Sequence, residues 1–381
     1  MPFTFKTVPS ILFETGAASR LGEIIKGRMR RPMVVTDKFL VDSGLITPAL
    51  ESLRKAGATP AVFSGVAADP PAPIVRKAVA AAREAKADGV IGFGGGSSMD
   101  TAKVVAVLMN SAQSLEDIYG TGKVKGGRAP LVLLPTTAGT GSEVTDIAVI
   151  TTEDEQKMGV VSDELFADSA ILDASLTLAL PRAVTAATGI DAMVHAIEAY
   201  TSKLRKNPVS DALAREALKL LAANIVKACE APGDLAAREA MLLGAMLAGQ
   251  AFANAPVAAV HAMAYPIGAL FHVAHGLSNA LMLATVLRFN CDAAAPLYAE
   301  LGDVIGANAT GGYTERAGAF IDALAAISAA TGVEQRLSQV GISPNDLPRM
   351  AEDAMKIDRL LQNNPREMRY EDALRLYGEA L

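Results

Sequence analysis

A chain of 381 residues is longer than one hydrophobic core usually organises, which points to two domains. With 51% hydrophobic and 20% charged residues it has the apolar content to pack, and a disordered chain is excluded. A net charge of −6 with no basic stripe argues against a nucleic-acid partner, and two cysteines outside any Cys-x-x-Cys pair argue against a disulfide framework or a thiolate metal site, so a cytoplasmic location is expected.

The first half alternates strand and helix signals. Pro32 to Thr36 reads as a short strand. Thr47 then reads as a helix N-cap, with Pro48 at the first helical position and Gly57 as the stop. Ala61 to Ser64 is a second strand, and Pro73 to Ala87 has helical periodicity through Ile74, Val75, Ala78, Val79 and Ala82. Gly89 to Phe93 is a third strand, Thr101 to Met109 a helix and Leu131 to Leu134 a fourth strand, with Val144 to Thr152 and Ser169 to Leu172 as further candidates. Strands separated by helices imply βαβ units and a parallel sheet.

From Arg182 onward Ala, Leu, Met and Glu dominate, and the strand signals stop. The most apolar stretch, Ala240 to Phe271, is broken by Gln250, Asn254, His261 and Pro266, which reads as buried helices rather than a membrane span. The N-terminus has no signal-peptide pattern. The expected fold is α/β plus all-α. A Rossmann-like parallel-sheet domain over residues 1–180 precedes an all-helical domain over 181–381.

Two loops in the first half carry chemistry. Gly94-Gly-Gly-Ser-Ser-Met-Asp100 follows a strand and opens a helix. Without Cβ atoms the backbone can approach an anion, and the helix start offers free N–H groups and a positive dipole end. The pattern is a phosphate cradle, although it is not G-x-G-x-x-G. The second loop, Leu134 to Thr145, holds four threonines and a serine among two glycines, and can line a cofactor with hydroxyls. Asp37, at the end of the first strand, can accept hydrogen bonds from a ribose and would repel a 2′-phosphate; by residue type alone it reads more readily as a helix-entry residue.

The second half carries all four histidines, His195, His261, His272 and His275. Asp191 and His195 are four apart on a helix and share a face. A carboxylate and three imidazoles can hold one divalent ion with an open position. Glu198, on the same face, reads either as the acceptor of an imidazole N–H or as only a helix-face carboxylate.

These motifs together with Asn364-Pro-Arg366 make the chain resemble the iron-containing (group III) alcohol dehydrogenases over its full length. The resemblance implies a dinucleotide-binding domain and a helical metal domain enclosing a cleft. It implies Asp191, His195, His261 and His275 as metal ligands, for Fe²⁺ or Zn²⁺. It puts Gly94, Gly95, Gly96 and Ser97 on the pyrophosphate and Asp37 near the adenosine ribose. Thr136, Thr137, Thr140 and Ser142 would lie toward the nicotinamide, and Asp100 is counted with the cofactor residues. Asp37 favours NAD over NADP. The family's further histidine, four residues beyond His261, is Tyr265 here, which leaves Tyr265, His272 or bulk water to relay the proton.

The implied reaction is hydride transfer between a small alcohol and a nicotinamide, or reduction of an aldehyde or ketone in reverse. A homo-oligomer, with a dimer favoured, and no membrane partner are expected. The same scaffold also serves dehydroquinate synthase-like lyases and metal-free maleylacetate reductase-like enzymes. No Lys or Arg adjoins the histidine motifs, which counts against the former, and the four metal donors count against the latter.

Overall fold

The computed structural model describes residues 2–154 and 156–381. The chain divides into two compact units. One comprises Thr7–Thr137 and Gly141–Leu178; the other comprises Ala179–Leu381, the short loop Ala138–Thr140 and the segment up to Lys6.

The first unit has nine strands among its described residues: β1 (Ile11–Phe13), β2 (Pro32–Asp37), β3 (Ala61–Val66), β4 (Gly89–Gly94), β5 (Gly120–Thr121), β6 (Leu131–Pro135), β7 (Ile147–Thr151), β8 (Lys157–Val161) and β9 (Ser169–Leu172). Six of them form one sheet in the order β1-β9-β6-β4-β2-β3, with every pairing parallel. The register sets Val34 of β2 beside Ile91 of β4, and Ile91 beside Val132 of β6. Every residue of β4 and β6 is buried, as parallel strands covered on both faces require. One face packs Phe93, Leu134 and Ile171 against Leu21, Leu40 and Leu53 from the flanking helices.

The helix Thr47–Lys55 begins one residue earlier than a Thr47 N-cap implies. The cap position falls on Ile46, which is buried in the core. The segment around Val144 to Thr152 does not extend the parallel sheet. Its strand, β7, pairs antiparallel with β8 in a separate three-stranded sheet, because Thr151 and Lys157 are too close in sequence for a crossover helix.

Chain order determines where this unit can bind. From β2 the chain moves outward to β3, then returns across β2 to β4 on its other side. The carboxyl ends of β2 and β4 flank that reversal, the place where open α/β sheets take ligands. Asp37 and Gly94 are the last residues of those two strands.

The second unit is helical, with no strand among its described residues. Its central helix, Arg182–Thr201, is buried without interruption from Gly189 to Thr201. The helices Pro208–Glu230 and Leu235–Asn254 start at Asn207 and Asp234, whose side chains accept from Ser210 N and Ala237 N. The apolar stretch Ala240 to Phe271 is two helices, Leu235–Asn254 and Ala259–Phe271, bent by 106° at their break. The following helix, His275–Ile305, is long and apolar enough to cross a membrane, yet half of its apolar window is buried inside this unit, as in a core helix. Tyr313–Thr331, Leu347–Met355 and Tyr370–Ala380 complete the long helices.

Candidate active site

Three helices of the helical unit bring the sequence-selected donors together. Asp191 and His195 lie one turn apart on Arg182–Thr201, His261 is in the first turn of Ala259–Phe271, and His275 is the first residue of His275–Ile305. Close helix approach makes this possible. A Cβ on Gly276 would sit 2.3 Å from the Ala187 carbonyl oxygen, so only glycine lets His275 draw up to Asp191.

The donors surround one point. Asp191 Oδ1 is 3.8 Å from His195 Nε2, 3.7 Å from His261 Nε2 and 3.7 Å from His275 Nε2. These separations are too long for hydrogen bonds. They are close to the donor–donor spacing of a tetrahedral shell, about 3.4 Å for bonds of about 2.1 Å. Donor atoms of Asp191, His261 and His275 all lie within 4.8 Å of one another. His261 Nε2 is buried without a hydrogen-bond partner, a costly state for a ring nitrogen unless a cation takes its lone pair. Three imidazole nitrogens and one carboxylate oxygen are the donor set of Zn²⁺ or Fe²⁺, and the residues fit a divalent ion.

Neighbouring groups fix the protonation states. Glu198 Oε2 accepts from Ala258 N at 2.8 Å and meets His261 Nδ1 at 2.7 Å, while Oε1 accepts from Val260 N at 2.6 Å. With Nδ1–H directed at a carboxylate, Nε2 keeps its lone pair free. Burial opposes ionisation of Asp191, but the three histidines and the Asn279 amide outweigh it and hold its carboxyl below the usual range. Burial pushes His195 down to about 4, so the imidazole is neutral. Asn279, which the sequence reading missed, donates to Asp191 Oδ1 at 2.6 Å. Its one available signal is the four-residue step from His275 along the same helix face.

An aromatic wall adjoins the donors. Phe252 stacks on His195 at 4.4 Å between centroids, and Tyr265 meets His275 edge-on at 5.8 Å. Phe252, Tyr265 and Leu360 belong to one apolar cluster with Val257 and Ala262. The Tyr265 hydroxyl accepts from Arg359 Nη2 at 3.2 Å. His272 is not drawn in. It caps the end of Ala259–Phe271 in the left-handed region at φ 55°, is exposed, and has no hydrogen bond or ring contact to the donors among the described residues.

In the α/β unit, β4 leads through Gly95 into the helix Gly96–Leu108, whose first N–H groups have no acceptor within the helix. Gly94 has φ 154°, and a Cβ there would sit 2.6 Å from Ser98 Oγ. Ser97 is half-buried at the helix start. Thr136 N donates to the Gly94 carbonyl at 3.0 Å, and Thr137 lies against Gly95. Asp37 caps the helix Lys38–Asp42 through Oδ1, which accepts from Leu40 N at 3.0 Å.

Asp100 and Ser142 are bound to each other. Asp100 Oδ1 accepts from Ser142 Oγ at 2.6 Å, and Oδ2 accepts from Val149 N at 2.9 Å, which ties the helix to β7. Lys103, missed in the sequence, is wholly buried beside them and donates to Thr145 Oγ1 at 3.0 Å and to the Ile147 carbonyl at 2.8 Å. Burial lowers its pKa. Thr140 belongs to the loop Ala138–Thr140, which groups with the helical unit and where Gly139 abuts Thr188.

Comparison with known proteins gives the same reading. Residues 9–174 match the profile of iron-containing alcohol dehydrogenase, and residues 185–381 match that of the Fe-containing alcohol dehydrogenase family, C-terminal. The chain is 40% identical over 352 residues to long-chain-alcohol dehydrogenase 1 of Geobacillus thermodenitrificans, covering 91% of this chain and 89% of that protein. It is 36% identical over 375 residues to sulfoacetaldehyde reductase of Bilophila wadsworthia, covering 96% of each. A crystal structure of 1,3-propanediol oxidoreductase superposes with a TM-score of 0.97 at 35% identity, covering 100% of both chains. With both halves matched and the metal donors assembled, the chain belongs to the iron-containing alcohol dehydrogenase family.

Proposed function

We propose that the chain is an NAD-dependent, metal-requiring enzyme that interconverts small alcohols with their aldehydes or ketones. Family membership carries the oxidoreductase activity. The lyase and metal-free alternatives are not favoured, since four metal donors stand around one point and the relatives' names are those of dehydrogenases and reductases. The relatives' named substrates run from long-chain alcohols to sulfoacetaldehyde, so they leave the substrate of this chain open.

In this reading Asp191, His195, His261 and His275 hold iron(II) or zinc. Such an ion supplies a Lewis acid that polarises a substrate oxygen and lowers the pKa of a hydroxyl. Glu198 keeps His261 in the donor tautomer, and Asn279 orients Asp191. Phe252 and its apolar neighbours keep water from one side of the donors. Tyr265 is the proton-handling residue this reading retains, supported by its contact with His275, which His272 lacks.

The first turn of Gly96–Leu108 receives the pyrophosphate, through Gly94, Gly95, Gly96 and Ser97. The second Asp37 oxygen takes a ribose hydroxyl while the first caps its helix, and Thr136 and Thr137, beside Gly94 and Gly95, lie toward the nicotinamide. Asp100, Ser142 and Lys103 hold the cofactor loop in shape rather than touching the cofactor.

The observation that carries the reading is the set of three imidazole nitrogens 3.7–3.8 Å from one carboxylate oxygen, one of them buried and unpartnered. Elemental analysis of the purified protein, joined to an alcohol and aldehyde screen with NAD and NADP, tests it. The expected result is about one iron or zinc per chain, with turnover lost on chelation and restored by metal. Full turnover by metal-free protein would overturn it.

A further inference from the structure

Arg359 is a cation on Tyr265, the neighbour of a metal donor, that the function proposed above does not use. It is the second residue of the short helix Asp358–Leu361, exposed, and directly precedes the buried Leu360 of the apolar cluster that includes Tyr265. Its Nη2 donates to the Tyr265 hydroxyl at 3.2 Å, and the centre of the guanidinium lies 5.9 Å from the Tyr265 ring centroid. Tyr265 also meets the His275 ring edge-on at 5.8 Å. One aromatic ring therefore touches both a metal donor and a positive charge.

No carboxylate is paired with Arg359 among the described residues. Asp353, six positions before it, pairs with Lys356 at 2.7 Å. A guanidinium with one donor anchored on a phenol still has a planar fork to offer, and its best complement is an oxyanion such as a carboxylate or sulfonate.

We infer that Arg359 is a specificity residue that selects short alcohols and aldehydes bearing a terminal oxyanion, with the reacting carbon toward His275 and the charged end toward Arg359. The inference rests on the metal site proposed above. Tyr265 contributes by holding the guanidinium with its hydroxyl, and the aliphatic wall of Leu360 and Val257 disfavours a bulky substrate.

The test uses intact, metal-loaded protein and calorimetric binding without nicotinamide, so no turnover occurs. The probes are 3-hydroxypropanoate and 2-hydroxyethanesulfonate, with 1,3-propanediol as the uncharged counterpart. Arg359→Gln should weaken at least one of the acids about tenfold and leave the diol within twofold, and Arg359→Lys should fall between. In steady-state assays the same loss should fall on KM rather than on kcat. Equal binding of both acids by wild type and Arg359→Gln overturns the inference. Failure of the wild type to turn over any alcohol or aldehyde overturns the enzyme reading instead, and the binding comparison still decides the role of Arg359.

Discussion

Changing Glu198 to glutamine alters one atom and sets the donor assignment around His261 against itself. The carboxylate accepts three hydrogen bonds, from Ala258 N, Val260 N and His261 Nδ1, all buried. A glutamine has one acceptor oxygen at this point. With that oxygen facing Ala258 and His261, its NH₂ confronts the Val260 N–H. In the flipped orientation the NH₂ confronts both Ala258 N–H and His261, and pulls the proton of His261 onto Nε2. Either way at least one buried donor loses its acceptor, at a cost of about 1–3 kcal/mol.

The first orientation also loses the negative charge that makes the imidazole a stronger donor, and the second removes the metal-facing lone pair. Loss of such a carboxylate behind a metal-bound histidine typically weakens metal binding about tenfold to hundredfold, equivalent to about 1.4–2.7 kcal/mol. Chelator competition on Glu198→Gln reads the metal affinity, and urea unfolding of the metal-free protein reads the stability separately. A variant that holds metal as tightly as wild type and unfolds at the same urea concentration would refute the reasoning, because the three short contacts would then carry no net energy.

Two other perturbations follow from the α/β unit. Asp37→Ser retains a side-chain oxygen to cap Leu40 N while removing the negative charge, so the NAD preference should fall and NADP binding should rise; fluorescence titration of both reduced cofactors checks this, and unchanged preference counts against Asp37 as the ribose residue. Burial raises the Glu143 carboxyl to about 7 in the folded chain, against 4.5 for its ordinary value. The folded state then binds more protons than the unfolded state between those pH values, so this residue's contribution to stability falls as pH rises through that window. Glu143→Gln should therefore stabilise the protein by a few kcal/mol at pH 8 and by little at pH 4, as read by urea unfolding at each pH. A wild-type-minus-variant difference that does not change with pH would remove Glu143 from this role.

Much of this protein is legible in one dimension, for an identifiable reason. The shift from strands with short apolar runs to long Ala- and Leu-rich stretches marks the change from sheet to helices, because each element must bury its own periodicity. Asp191 and His195 could be paired from sequence because helical geometry alone puts positions four apart on one face. Glu198 was within reach for the same reason. The glycine run after β4 was readable because local chain geometry restricts what can follow a strand and open a helix.

What lay beyond the sequence depends on contacts between distant segments. Asn279 reaches Asp191 across 88 positions, and Arg359 reaches Tyr265 across 94. No periodicity reports such pairings. Of Tyr265 and His272, the fold sets Tyr265 against His275, while His272 ends its helix in a left-handed turn with no ring contact to the donors among the described residues. The side chains of Asp100 and Ser142, chosen from two separate motifs, close on each other across 42 positions, and Val149 N reaches the same carboxylate from β7. The sequence by itself determined the kinds of element and the chemistry available, both properties of near neighbours. Tertiary structure decided which groups meet, because the helix packing that Gly276 permits and the reversal of strand order beside β2 are properties of the whole chain.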